Sequence, residues 1–223
     1  MKLYLIRHAQ SVANAEGKQM PDPALTNLGH IQAEVTSRWL KTHTYRASIH
    51  DVSGEALKPT VIYSSPARRG LQTSVYLSKV FNMPINVDKS LHEVGGAHAC
   101  DATWGGLPRS DVLKILPDAC FDAGYSVFGW WFQDVEEDIK EALMRAKKWL
   151  LWLQTRHNKD DVVLVVGHGA LFDCVAAVAF GHPDQLVWMS MHNAAIARLD
   201  WEDGVCKMVF WNQHEHLQEI LSY

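Results

Sequence analysis

Two histidines in this sequence each close a short apolar run. Lys2-Leu-Tyr-Leu-Ile-Arg7-His8 sets Leu3, Leu5 and Ile6 before a cation and an imidazole, and Asp161-Val-Val-Leu-Val-Val-Gly167-His168-Gly169 repeats the device. Runs of this length, rich in β-formers, fit strands buried on both faces. Open α/β sheets bind ligands beyond the carboxyl ends of their strands, so both imidazoles fall where a ligand would sit. The glycines flanking His168 would let that ligand approach the backbone. Arg7 keeps its charge and His8 can switch near neutrality. Burying them is costly unless an anion offsets the desolvation. The plainer alternative is a strand end that reaches water. Ala67-Arg68-Arg69 adds two cations in what reads as the first turn of a helix. There they oppose the helix dipole unless an anion is near, or they bend outward to solvent.

Cations from a strand end and a helix start, with two imidazoles, suit a dianionic tetrahedral group. Arginine presents fixed, bidentate donors to phosphate oxygens. The same positive field disfavours imidazolium and keeps a histidine neutral and nucleophilic. A phosphoryl group could then pass to nitrogen. Glu93, in Leu91-His92-Glu93, supplies a carboxylic acid for the leaving oxygen. The sequence has no P-loop and no acidic cluster suited to a metal.

The elements that must position these groups alternate in type. After the His8 strand, residues 10–23 read as a loop punctuated by Pro21, Asp22 and Pro23. Thr26 N-caps a helix whose Ile31, Val35, Trp39 and Leu40 recur at helical spacing. Residues 43–58 read as a surface loop. Pro59–Tyr63 is a strand, with Ser65 as N-cap and Pro66 as first residue of the next helix. Pro84–Val87 is a third strand. Residues 94–134 are rich in Gly and aromatics, including Trp104, Tyr125, Phe128, Trp130, Trp131 and Phe132. They read as an insertion over the sheet's carboxyl edge, with a short helix near 111–116. Most of its aromatics suit a satellite core and some suit a pocket roof. Val135–Trp152 is an amphipathic helix whose Glu136, Glu137 and lysines form a solvated face. An apolar helix follows Gly169. Strands at 194–201 and 206–211, joined by Glu202-Asp203-Gly204, form an antiparallel edge, and 215–221 a final short helix. The expected fold is a three-layer α/β/α sandwich with a mainly parallel sheet, as a single domain over 1–223.

Composition agrees with this. The chain has 223 residues, 48% hydrophobic and 21% charged, which is ordinary for a globular protein with ample core. A net charge of −4 gives no nucleic-acid footprint. The most apolar late segment, Ala170–Phe180, is too short to span a bilayer. No signal peptide precedes the first strand, and Cys100, Cys120, Cys174 and Cys206 show neither pairing nor metal spacing. These features suggest reduced thiols and a cytoplasmic location. Oligomeric state is not legible.

The ordered motifs resemble the histidine phosphatase superfamily, in its phosphoglycerate mutase-like branch. Arg-His-Gly-Glu/Gln-Ser/Thr with a following Asn stands here as Arg7-His8-Ala9-Gln10-Ser11 and Asn14. Leu25-Thr26, Gly29 and Gln32-Ala33 match a second block. Ser64-Ser65-Pro66, Arg69 and Gln72-Thr73 match a third, in a register that selects Arg69 over Arg68. Leu91-His92-Glu93 and Val166-Gly167-His168-Gly169 complete the set. The resemblance implies His8 as nucleophile, Glu93 as general acid and base, and Arg7, Arg69 and His168 as the phosphate pocket. Asn14 and Gly169 are further substrate contacts. It implies no metal or organic cofactor and a small phosphorylated substrate.

Two residues depart from the pattern: Ala9 replaces a glycine, where its methyl could crowd the site, and Gly167 stands where Ser is common. The Trp-Arg…Glu-Arg-His-Tyr-Gly block of glycolytic mutases is absent, which favours a phosphatase over a phosphotransferring mutase. A weakly active phospholigand-binding protein of the same fold is the third reading. Among 12 histidines, His92, His98, His192, His214 and His216 match no metal-site spacing and read as scattered surface residues, with His92 and His98 flanking Glu93 so that one of them could touch substrate.

Overall fold

The computed structural model describes residues 1–42, 56–97, 103–122, 124–131 and 135–222. Most of the loop expected at 43–58, together with His98, Cys100 and Phe132, lies outside these. Seven strands form one sheet: β1 (Lys2–Arg7), β2 (Val61–Ser64), β3 (Asn86–Val87), β4 (Cys120–Phe121), β5 (Val162–Gly167), β6 (Ile196–Glu202) and β7 (Val205–Gln213), in the order β4-β3-β2-β5-β1-β6-β7. β1 to β5 are parallel, β6 runs against β1, and β7 returns against β6. This is the mainly parallel sheet with an antiparallel edge that the alternation of elements implied.

β1 is central because it is apolar on both faces. Leu3 and Leu5 face a core shared with α5 (Ile139–Arg156) and α6 (Gly169–Ala179), and Tyr4 and Ile6 face one shared with α3 (Arg68–Phe81) and α4 (Arg109–Ile115). Burying each such side chain is worth roughly 1.5–3 kcal/mol. α2 (Asn27–Thr42) joins the second layer through Leu40. β1 and β5 pair in register from Lys2↔Val162 to Arg7↔Gly167, so the two strands end side by side at His8 and His168.

Several boundaries differ from expectation. Residues 12–16 form a short helix, α1 (Val12–Glu16), closed by a Ser11–Asn14 capping box. α3 begins at Arg68 with Ala67 in the cap position, while the Ser65 hydroxyl accepts from Ala67 N at 3.2 Å and also meets His168. α5 begins at Ile139, not Val135: Asp138 and Glu141 close a capping box there, and Val135 lies exposed. β3 is shorter than expected, the parallel edge strand β4 was not foreseen, and the C-terminal segment makes a 3-10 turn at Gln218–Ile220. Thr26 does cap α2, accepting from Gly29 N at 2.9 Å.

Candidate active site

The ends of β1 and β5 bring the two imidazoles to a ring-centroid separation of 5.2 Å. His8 Nδ1 lies 2.8 Å from the Ala9 carbonyl, which fixes the proton on Nδ1 and turns the Nε2 lone pair outward. Arg69 Nε donates to that Nε2 at 3.0 Å. Arg69 Nη2 reaches His168 Nδ1 at 3.1 Å, so the His168 proton sits on Nε2 and is given to Ser65 Oγ at 2.6 Å. One guanidinium thus spans both histidines, and both are neutral. Burial, then the charges of Arg69 and Arg7, pushes His8 well below the ordinary histidine value. Burial and Arg69 do the same to His168.

Arg7 comes from the end of β1. Its Nη1 donates to the Met191 carbonyl, while its buried Nε makes no hydrogen bond among the described residues. A buried, unpaired guanidinium N–H beside two cation-facing imidazoles is what an anion site would leave. Glu93 enters from the irregular segment after β3. Its Oε1 accepts from Val94 N at 2.9 Å and from Leu171 N, in the first turn of α6, at 3.0 Å. Asn14 Oδ1 is taken by Ser11 and by Asn193 Nδ2, at 3.3 Å from the latter. Its side chain borders the pocket from α1.

Arg7, His8, Asn14, Arg69 and Glu93 line one cavity of about 400 Å³. Lys18 to Pro23 form one wall, and Val94, Gly96, Ala97, Trp104 and Trp130 the other. Of the expected residues, His168 lies behind Arg69, outside that lining. Gly169 lines a smaller neighbouring cavity of about 220 Å³ with Arg7, Glu93 and Asp173. The arrangement can hold a tetrahedral dianion against Arg7 and Arg69, with the neutral His8 nitrogen and the Glu93 carboxyl on the same cavity lining.

A family model, the histidine phosphatase superfamily (branch 1), matches residues 3–214. The chain belongs to that family. This histidine phosphatase is 26% identical over 230 residues, 98% of each chain, to a Hydrogenobacter thermophilus protein provisionally named phosphoserine phosphatase 2. It is 29% identical over 213 residues (82% of this chain, 73% of the relative) to phosphoglycerate mutase-like protein 1 of Arabidopsis thaliana. Its fold matches that of a mycobacterial glucosyl-3-phosphoglycerate phosphatase solved with VO3, at a TM-score of 0.64 and 23% identity over 96% of this chain and 99% of that one.

Both departures from the family pattern have a structural reading. The Ala9 methyl packs with Leu25, Ala33, Ala194 and Leu217, away from the cavity, so the expected crowding is not seen. A Cβ on Gly167 would come within 2.8 Å of the Phe172 ring, which is why no larger residue stands there. His92 does not reach the cavity either: it is buried and stacks on Trp130 at 5.3 Å. His192 is buried as well, so the histidines are not simply scattered over the surface.

Sequence reasoning missed Ser65 as the partner of His168, Asp22, and Asn193, which donates to the His8 carbonyl at 3.3 Å. Asp22 accepts from Arg68 N at 2.7 Å and pairs with its Nε at 3.5 Å. It is the anion that the paired arginines called for. The signal was present, because residues 21–23 lie in the loop following the His8 motif.

Proposed function

We propose that this histidine phosphatase hydrolyses small phosphomonoesters through a phosphohistidine on His8, without a metal. The observation that carries the reading is the Arg69 guanidinium held between the neutral His8 and His168, with Arg7 and Glu93 on the same cavity. In the first step His8 Nε2 attacks phosphorus and the bond to the leaving oxygen breaks. Arg7, Arg69 and Asn14 take the phosphoryl oxygens, helped by the close backbone at Gly169, and His168 steadies the Arg69 guanidinium from behind through its Nδ1. The Nδ1–H bond to the Ala9 carbonyl supports the imidazolium that forms. Glu93 gives its proton to the leaving alkoxide. In the second step Glu93 takes a proton from water, the new P–O bond forms, the P–N bond breaks, and His8 is restored.

A cavity of about 400 Å³ suits a leaving group of small-molecule size. The relatives named as phosphatases, for phosphoserine and for glucosyl-3-phosphoglycerate, support hydrolysis over the mutase reading. The chain also lacks the mutase block. We take residues 1–223 as one catalytic domain, with the 94–134 segment as its cover. Cytoplasmic residence is part of this reading, with Cys120, Cys174 and Cys206 free among the described residues. No helix among the described residues is long and apolar enough to cross a membrane.

The test is p-nitrophenyl phosphate hydrolysis in EDTA by wild type and His8→Ala. Turnover should survive chelation and vanish in the variant, and acid-labile phosphate should label only the wild type. Full turnover by His8→Ala would overturn the assignment.

A further inference from the structure

The segment that carries Glu93 has no regular structure from His92 to Gly96 except a turn, so its backbone must be held by side chains. What holds it comes from the start of α5. Glu137, which the sequence places on a solvated face, is only 6% exposed. Arg145 pairs with it bidentately, Nε to Oε1 at 2.7 Å and Nη2 to Oε2 at 2.6 Å. The remaining Arg145 Nη1 donates to the Ser90 carbonyl at 2.7 Å and the His92 carbonyl at 3.0 Å. Glu137 N reaches the Gly95 carbonyl at 3.4 Å. Backbone groups on both sides of Glu93 are therefore fastened to one ion pair.

The grip extends to the cavity wall. His92 Nδ1 lies 2.8 Å from the Glu93 carbonyl, its Nε2 is 3.9 Å from Glu137 Oε1, and its ring stacks on Trp130, which lines the catalytic cavity. A buried ion pair is a weak source of net stability compared with apolar packing of the same volume. Its fork geometry, by contrast, fixes position well.

We propose that the Glu137–Arg145 pair is a positioning device for Glu93, setting the carboxyl at the distance proton transfer to the leaving oxygen requires. The inference rests on the general-acid reading of Glu93 above. Misplacing a general acid should matter only where the leaving group needs a proton. An alkoxide does, and p-nitrophenolate does not.

The experiment compares kcat/KM for glycerol 2-phosphate and p-nitrophenyl phosphate. General acid catalysis contributes about 10²–10⁴-fold, and Arg145→Met should lose on the order of tens-fold on the alkyl ester, with KM changed less than about twofold. On the aryl ester the loss should stay below about threefold, since its first step draws nothing from the acid. Arg145→Lys should recover part of the alkyl rate. In a Glu93→Gln background, Arg145→Met should cost nothing further on the alkyl ester. Equal losses on both substrates, an undiminished alkyl rate, or additive losses with Glu93→Gln would overturn the proposal. If Arg145→Met does not fold, Glu137→Gln decides by the same ratio, because it loosens the fork while leaving the bonds to Ser90 and His92. Wild type inactive on both esters would instead count against the phosphatase reading itself.

Discussion

Arg69 does the most at the scale of single residues. Its Nε and Nη2 contact the two imidazoles that burial, and then its own charge, keep neutral. Arg69→Met should therefore lower kcat/KM by about 10²–10³-fold, the usual cost of one preorganised donor on developing charge, as steady-state kinetics would report. Ser65→Ala acts more subtly. It leaves the His168 Nε2–H buried without its 2.6 Å acceptor, at a cost of about 1–3 kcal/mol. The expected result is roughly a tenfold loss in kcat/KM and weaker competitive inhibition by inorganic phosphate, with the fold retained. Arg7, His8, Arg69, Glu93 and His168 were legible in the sequence because their types and order carry chemistry. Ser65 stood inside a matched block, but nothing in a one-dimensional motif says that its hydroxyl turns to a histidine 103 positions later.

Among the elements, helix starts decide where side chains point. α5 begins where the Asp138–Glu141 capping box closes, and its first turns carry Arg145. Asp138→Ala should cost about 1 kcal/mol of stability, read as a lowered melting temperature. α2 docks on the loop after His8 so closely that a Cβ at Gly29 would lie 2.1 Å from the Gln10 carbonyl oxygen. Gly29→Ala must displace that loop, and with it Asn14. A drop in both melting temperature and kcat is expected, larger than for Asp138→Ala. Regular elements were readable because burial repeats with their period: Leu143, Ala146, Leu150 and Leu153 of α5 are all buried, as their spacing required. The ends were less readable. Val135 continues the apolar period, yet the capping chemistry three residues later starts the helix.

At the scale of the whole molecule, His8, His92 and His168 stand out among the described residues: each is buried and pushed well below the ordinary value of 6.5, chiefly by burial. Below about pH 6.5 the unfolded chain binds protons that the folded chain refuses, so their contribution to stability is lost as pH falls. Each adds a slope of up to about 1.4 kcal/mol per pH unit. Asp173 opposes them. Burial raises its carboxyl to about 7, so between about pH 4 and 7 the folded state binds the extra proton and gains as pH falls. Asp22 and Asp88, also raised by burial, act in the same sense as Asp173, and His192, lowered by burial, acts with the other histidines. His8, His92 and His168 are the groups shifted furthest, and melting temperature should decline from pH 6.5 to 5. Asp173→Asn should steepen that decline and His8→Asn should flatten it; a melting series across pH 5–8 reads both.

The sequence by itself determined the strand ends that deliver His8 and His168, the sandwich class, and the residue types of the candidate site. Apolar period and residue chemistry are local properties, and they survive without knowledge of neighbours. Only the tertiary structure decided the rest. It sent the Ala9 methyl into a core, set His168 behind Arg69, and buried Glu137 against Arg145. Each of these depends on residues at the ends of elements or between them, such as Ala9, His168 and Glu137, meeting side chains that periodicity does not announce. Such positions have no period to show which face is covered, so packing assigns it.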